Sequence, residues 1–303
     1  MNSAIIETHA LKKQFDRKSV LSGIDLSIEA GQVVGLLGTN GSGKTTFIKC
    51  LLGLLHPTSG TSAVFGETSW DLSASAKSRL GYVSQEFAML PWMSVRSMTD
   101  YTGAFYENWD KSYVDLLIKE WNLDEKSRVG TLSVGQRQKL AVILALGHHP
   151  ELLILDEPVA SLDPIARRQF LKSLIEFTEE EENTILFSTH ITSDLERVAS
   201  HVVFLEEGTV GFNEELDELK DRVKRVRISG VQNLREKLNI PGTIRAEYHE
   251  THALLTVKEF QAPQWDSLAA EINAVITVED LNLEEIFLEL SEVSSASPQQ
   301  VIA

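Results

Sequence analysis

The chain passes directly from a buried-strand pattern into a phosphate cradle. Residues 32–38 (QVVGLLG) make an apolar run that stops at glycine, and residues 45–55 (TTFIKCLLGLL) follow with helical spacing, closing before His56 and Pro57. Between them Gly38, Thr39, Asn40, Gly41, Ser42, Gly43, Lys44 and Thr45 match G-x-x-x-x-G-K-[ST], in the strand–turn–helix context that its chemistry needs. Glycines let the backbone curl until its N–H groups converge on phosphate oxygens, and the helix N-terminus adds its positive dipole end. Lys44 can then reach the β- and γ-phosphates, and the Thr45 hydroxyl can coordinate Mg²⁺. A chance glycine-rich turn would lack this context. The feature calls for an α/β fold that binds a nucleoside triphosphate.

Two further apolar runs, 151–156 (ELLILD) and 184–190 (TILFSTH), suit strands of a mainly parallel sheet covered on both faces. Asp156 ends the first, where a carboxylate can hold the water shell of Mg²⁺, and Glu157 follows, positioned to orient or deprotonate an attacking water. Alone, such a pair could merely cap the next helix; beside a phosphate loop it reads as chemistry. His190 ends the second run and could reach the γ-phosphate. The remaining histidines, among them His148, His149, His249 and His252, form no metal set with cysteines or carboxylates.

The alternating pattern covers residues 1–220, with a helical insertion over about 87–150 that includes 112–123 and 134–147. Residues 221–292 read as a small α+β domain, and 293–303 as a polar, flexible tail. A charged helix leads into a strand across 217–230. Helix 233–238, strands near 243–249 and 253–260, helix 264–273, strand 275–279 and helix 282–290 complete a βαββαβ order compatible with a ferredoxin-like unit. In the last helix Leu283, Ile286, Phe287 and Leu290 form one apolar stripe, with Glu284, Glu285 and Glu289 expected to turn away from it. Its own sheet is the favoured cover.

Composition narrows the function. Asp+Glu 44 against Lys+Arg 28 gives a net charge of −16, which speaks against bulk nucleic-acid binding. One cysteine, Cys50, excludes an internal disulfide framework and suits a reducing compartment. No stretch approaches the roughly 20 apolar residues that cross a bilayer, and the start lacks the apolar core of a signal peptide. Any membrane part must come from another chain.

Six short motifs now stand in order: the phosphate loop, YVSQE around Gln85, LSVGQ at 132–136, LILDEP, SLD at 161–163, and His190. Residues 1–220 thereby resemble the ATPase subunits of ABC transporters. The resemblance implies a P-loop ABC ATPase domain, working as a head-to-tail homo- or heterodimer around two ATP–Mg²⁺ complexes. Phe15 would stack on adenine, and residues Gly38 to Lys44 with Thr45 and Thr46 would hold the phosphates. Thr45, Gln85 and Asp156 would hold Mg²⁺, and Lys44, Glu157 and His190 would carry the catalysis. Ser133, Gly135 and Gln136 would close over the nucleotide of the opposite subunit, and Asp163 would speak across the dimer. Val134 departs from the family's central glycine, which removes backbone freedom there.

YENWD at 106–110 and the ending LNLEEIFLEL look similar to bacterial exporter subunits for peptides, antibiotics or lipids. That implies a separate integral-membrane permease and a peripheral position on the cytoplasmic face of the bacterial inner membrane. The competing reading is a soluble ABC ATPase acting in translation or DNA maintenance. Such proteins usually carry two cassettes or a long coiled coil; this chain has neither. The aromatics Tyr101, Phe105, Tyr106 and Trp109 could belong to the same exporter signal or simply to the core of the insertion.

Overall fold

The computed structural model describes residues 4–86, 89–159, 162–181, 183–230 and 240–295. It divides into two compact units, Met1–Asn213 and Glu214–Ala303. The division falls before the shift in character read near residue 220, because helix 216–222 is tied to the second unit. There Arg222 Nε donates to Glu214 at 2.6 Å and Phe260 N donates to the Arg222 carbonyl at 2.9 Å.

The first unit opens with β1 (Ala4–Phe15) and β2 (Lys18–Glu29), then β3 (Val33–Leu37), α1 (Lys44–Leu51), β4 (Ser59–Val64) and β5 (Glu67–Thr68). Next come α2 (Ala74–Ser78), β6 (Leu80–Val83), α3 (Val95–Gly103), α4 (Lys111–Glu120), α5 (Val134–Leu146) and β7 (Leu152–Asp156). The unit continues through α6 (Pro164–Glu181), β8 (Thr184–Thr189), α7 (Thr192–Val198) and β9 (His201–Glu206) into β10 (Thr209–Glu215).

A six-stranded sheet has the order β10-β9-β3-β8-β7-β6, with parallel pairing across β9/β3/β8/β7/β6. Every residue of β3, β7 and β8 is buried, as expected of strands covered on both faces. A second, antiparallel sheet, β2-β1-β4-β5, was not expected from the sequence. Its strands alternate buried and exposed positions, so Ile6, Leu11, Leu21, Ile24 and Ile28 feed a common core with Leu36, Phe47 and Ile154.

Helix α1 ends at Leu51 rather than at residue 55. Gly53 adopts φ +66, and the N–H groups of Leu54 and Leu55 turn back to the Lys49 carbonyl. A side chain at Gly53 would sit 2.1 Å from the Ser69 carbonyl oxygen, so the close approach requires glycine. In the helical insertion the aromatic run splits. Trp109 packs on Gly103 and Gly147, and Tyr106 stacks on His148 at 4.0 Å between ring centroids. Tyr101 and Phe105 meet edge to face and stay exposed. Burial holds the His148 imidazole neutral, its pKa pushed down to about 4.

The second unit contains α8 (Leu216–Arg222), β11 (Lys224–Ser229), β12 (Thr243–Tyr248), β13 (His252–Val257), α9 (Ala262–Ile272), β14 (Val275–Asp280) and α10 (Leu283–Ser295). Strand order β12-β13-β11-β14, antiparallel throughout, is the ferredoxin-like order. The helix expected at 233–238 and the tail from residue 296 lie outside the described residues. Val226, Ile228, Ala253, Leu255 and Val257 share one sheet face and pack with Trp265 of α9.

The apolar stripe of α10 is covered as expected, Leu283 and Ile286 being fully buried and the helix lying against β12. Its acidic side departs from the expectation. Glu289 is buried, and Arg225 reaches Glu285 at 3.0 Å and Glu289 at 3.3 Å. Only Glu284 turns to solvent.

Because Leu255 is buried wholly within the second unit, Leu255→Ala should cost about 2–5 kcal/mol there. Calorimetry of the full chain should show that unit's transition lowered, with the ATP-dependent stabilisation of the first unit intact. Loss of the ATP effect in a folded variant would contradict the division.

Candidate active site

Strands β3, β8 and β7 are consecutive neighbours and parallel, so their C-terminal ends lie side by side. The loop after β3 carries residues 38–43, Asp156 ends β7 with Glu157 next, and His190 follows β8. Three distant sequence segments thus meet at one sheet edge.

The loop curls through Gly41 at φ +85 and Gly43 at φ +110, and Gly43 stands as N-cap of α1. A Cβ at Gly38 would lie 2.4 Å from the Leu205 carbonyl oxygen. Lys44, in the first turn, folds back over the loop and donates to the carbonyls of Gly38 at 2.8 Å and Thr39 at 3.2 Å. Its ammonium also lies 3.5 Å from Glu157 Oε1. His190 Nδ1 stands 2.9 Å from Glu157 Oε2. Both oxygens of a buried carboxylate therefore have partners, the condition for keeping such a charge out of water.

Glu157 holds a left-handed backbone, φ +53. Its N–H is shared between Ser188 Oγ at 3.0 Å and the Ser188 carbonyl at 3.2 Å, and the Ser188 hydroxyl donates to Asp156 Oδ1 at 2.7 Å. Asp156 Oδ2 and Ser42 Oγ are buried without a hydrogen-bond partner among the described residues. On the adjacent strand β6, burial and the Asp156 charge push the Tyr82 phenol up to about 12, so it stays neutral.

An open cleft of about 400 Å³ is lined by Asn40, Gly41, Gly43, Lys44, Thr45, Thr46, Gln85, Glu157 and His190, with Lys18 and Val20 on one wall; Asp156, next to Glu157 in the chain, is buried and not part of the lining. That volume is of ligand-pocket size. The donor set fits a magnesium triphosphate: loop N–H groups and an ammonium for phosphate, and the Thr45 hydroxyl and the unpartnered Asp156 oxygen for a hard cation.

Other expected residues stand elsewhere. Phe15 is 44% exposed, beneath the Lys13 ammonium at 5.0 Å, and pairs in the β1–β2 hairpin with Lys18 rather than lining the cleft itself. Ser133 caps α5 in a reciprocal pair with Gln136, Ser133 Oγ accepting from Gln136 N at 3.2 Å and Gln136 Oε1 from Ser133 N at 2.9 Å. Neither of these, nor Gly135, lines the cleft. Asp163 accepts from the N–H groups of Ile165 and Ala166, both at 3.0 Å, and so begins α6. The backbone bond to Ala166 holds its carboxyl below the usual range. Val134 shows no positive φ, so the conformation seen has no need of the glycine it replaces.

Sequence reasoning missed Ser188, Lys18 and Val20. A hydroxyl directly after the apolar run Ile185–Phe187 was the available signal for Ser188; the cleft wall from β2 left none.

A profile of the ABC transporter family matches residues 21–160. The bacitracin transport ATP-binding protein BcrA of Bacillus licheniformis is 32% identical over 225 residues, covering 74% of each chain. The chain belongs to the ABC transporter family. It is an ATPase subunit of that class. The Nod factor export ATP-binding protein I of Burkholderia lata is 35% identical over 69% of this chain and 70% of its own. A solved ATP-binding subunit of an ABC transporter superposes with a TM-score of 0.65 at 26% identity, covering 72% of this chain and 92% of that one. Among the described residues no helix is long and apolar enough to cross a membrane.

Lys44→Ala removes the ammonium that charge-assisted bonds to phosphate require. The loss should be about 1.5–3 kcal/mol, roughly ten- to hundred-fold in ATP affinity. Equilibrium titration with ATP checks it; unchanged affinity would contradict the site.

Proposed function

We propose that this ATPase subunit works in pairs, closing two chains around two ATP molecules to drive export through a separate membrane permease. The single observation that carries the paired reading is the position of the Ser133–Gln136 cap. It opens a long helix, leaves Val134 47% exposed, and stays away from the chain's own cleft. A helix N-terminus facing solvent suits an anion brought by another molecule. In this reading Ser133, Gly135 and Gln136 meet the γ-phosphate held by the opposite chain, and Asp163 contacts the opposite cleft.

Within each cleft the loop N–H groups and Lys44 neutralise the phosphates, and Phe15 offers a ring face to adenine. Thr45, Gln85 and Asp156 would hold Mg²⁺, which when bound spreads the charge of the β- and γ-phosphate oxygens. Glu157 orients the attacking water and takes its proton. His190 fixes the Glu157 carboxylate and reaches towards the γ-phosphate. Positioning and charge neutralisation do most of the work in such transfers, so one cleft without its partner should turn over slowly.

The coupling route to a permease is supported by the chain around Gln85. Gln85 lines the nucleotide cleft, while Val83 and Ser84 line a neighbouring groove with Leu72, Met89, Met98 and Tyr106. A permease helix seated there would sense the state of the cleft through one continuous strand end. Export, rather than uptake, is the direction named for relatives such as the Nod factor export protein. The work site is then the cytoplasmic face of a bacterial inner membrane, with the chain held peripherally by the permease. A soluble role in translation or DNA maintenance has no observation in its favour.

Glu157→Gln keeps volume and hydrogen bonding but removes the base, so turnover should fall about 10²–10⁴-fold. ATP should still bind and trap a dimer visible by size-exclusion chromatography. Ser133→Arg should abolish hydrolysis while leaving monomer ATP affinity intact. Wild-type turnover by Glu157→Gln, or full hydrolysis by Ser133→Arg, would refute the paired mechanism.

A further inference from the structure

We propose that Ser188 is a positioning residue for ATP hydrolysis, setting both carboxylates of the acidic pair without touching nucleotide. The inference rests on the roles given above to Asp156 and Glu157.

Ser188 stands in β8 among apolar neighbours (ILF on one side) and is completely buried. A hydroxyl in such a place costs stability unless its hydrogen bonds are made. Both are made, and both go to the acidic pair: the hydroxyl donates to Asp156 Oδ1 and accepts from Glu157 N. The parallel register places Ser188 opposite Asp156, so the bridge is a direct consequence of how β7 and β8 pair.

Two effects follow. Engaging Asp156 Oδ1 fixes the carboxylate plane and leaves Oδ2 as the oxygen without a partner among the described residues, available to a cation. The hydroxyl also takes the shorter share of the Glu157 N–H, the Ser188 carbonyl taking the longer at 3.2 Å, and so helps to hold a left-handed residue that is not glycine, a conformation costing about 1–3 kcal/mol that surrounding contacts must over-determine. Glu157 is thus gripped at both ends by one short segment, its backbone by Ser188 and its carboxylate by His190. Removing the hydroxyl would leave the Glu157 N–H only the longer bond to the Ser188 carbonyl, and the carboxylate could drift relative to the water it must orient. Displacements of about 1 Å cost as much as a hundred-fold in rate.

The test uses the full chain with Ser188→Ala, which deletes the bridge, and Ser188→Thr, which restores a hydroxyl on a β-branched side chain suited to a strand. Ser188→Ala should lower kcat about ten- to hundred-fold. Hydrogen exchange at the Glu157 amide should accelerate. Affinity for a non-hydrolysable ATP analogue should fall in the presence of Mn²⁺ and hold without metal. Ser188→Thr should recover most of the wild-type kcat. Wild-type kcat in Ser188→Ala would overturn the proposal. So would equal impairment of both variants with lowered melting temperatures, the mark of a packing role. Glu157→Gln is run beside them. Its wild-type turnover would strike the reading of the cleft itself, whereas its collapse beside an unaffected Ser188→Ala would strike the Ser188 assignment alone.

Discussion

The parallel adjacency of β3, β8 and β7 is the constraint on which the cleft depends. Neighbouring strands lie about 4.8 Å apart, so three consecutive strand ends fall within about 10 Å of one another. The phosphate loop, the acidic pair and His190 leave those ends, and each is aimed the same way because the strands run the same way. Complete burial of the three strands makes their register costly to shift, since a one-residue slip would move every side chain to the other face. The chemistry is therefore held by backbone pairing, and the side chains need only short reaches.

Within that frame the charges of the cleft satisfy each other. Glu157 is buried, and its carboxylate would be expensive without partners; Lys44 and His190 supply them. Lys44 in turn is held by the carbonyls of Gly38 and Thr39, so loop and acidic pair steady one another. An entering triphosphate competes for the same ammonium with a denser negative charge. Lys44 would then move its allegiance from Glu157 to phosphate, and Glu157 would be released to the water beside it.

Much of this was legible in the residues, for a physical reason. Phosphate binding requires glycines, a lysine and a threonine at fixed offsets between a strand and a helix, and few other structures need that spacing. Acidic residues at the end of an apolar strand are similarly conspicuous. The antiparallel sheet was harder, because residues 4–29 carry charged outward positions and bulges that blur a two-residue period. The end of α1 depended on one close approach, Gly53 to Ser69, which no local pattern announces. Ser188 was hidden for the opposite reason. Its meaning lies entirely in a cross-strand pairing with Asp156, and a serine alone carries no such information.

The second unit shows the same limit in its last helix. A helical wheel sorts α10 into an apolar stripe and an acidic remainder, and the stripe does lie where the wheel puts it. The wheel assumes that charge means solvent. The pleat of β11 defeats that assumption: Val226 and Ile228 enter the core with Trp265, so Arg225 must project from the opposite face, where α10 lies. A guanidinium on a sheet face needs carboxylates nearby, and Glu285 and Glu289, one turn apart on the helix, meet it together. Glu289 is buried with its charge paired to a half-buried Arg225 rather than left bare. The orientation of the helix is then specified twice, by Leu283 and Ile286 as apolar anchors and by the Arg225 fork as an electrostatic one. A rotation that exposed either would unpair the other.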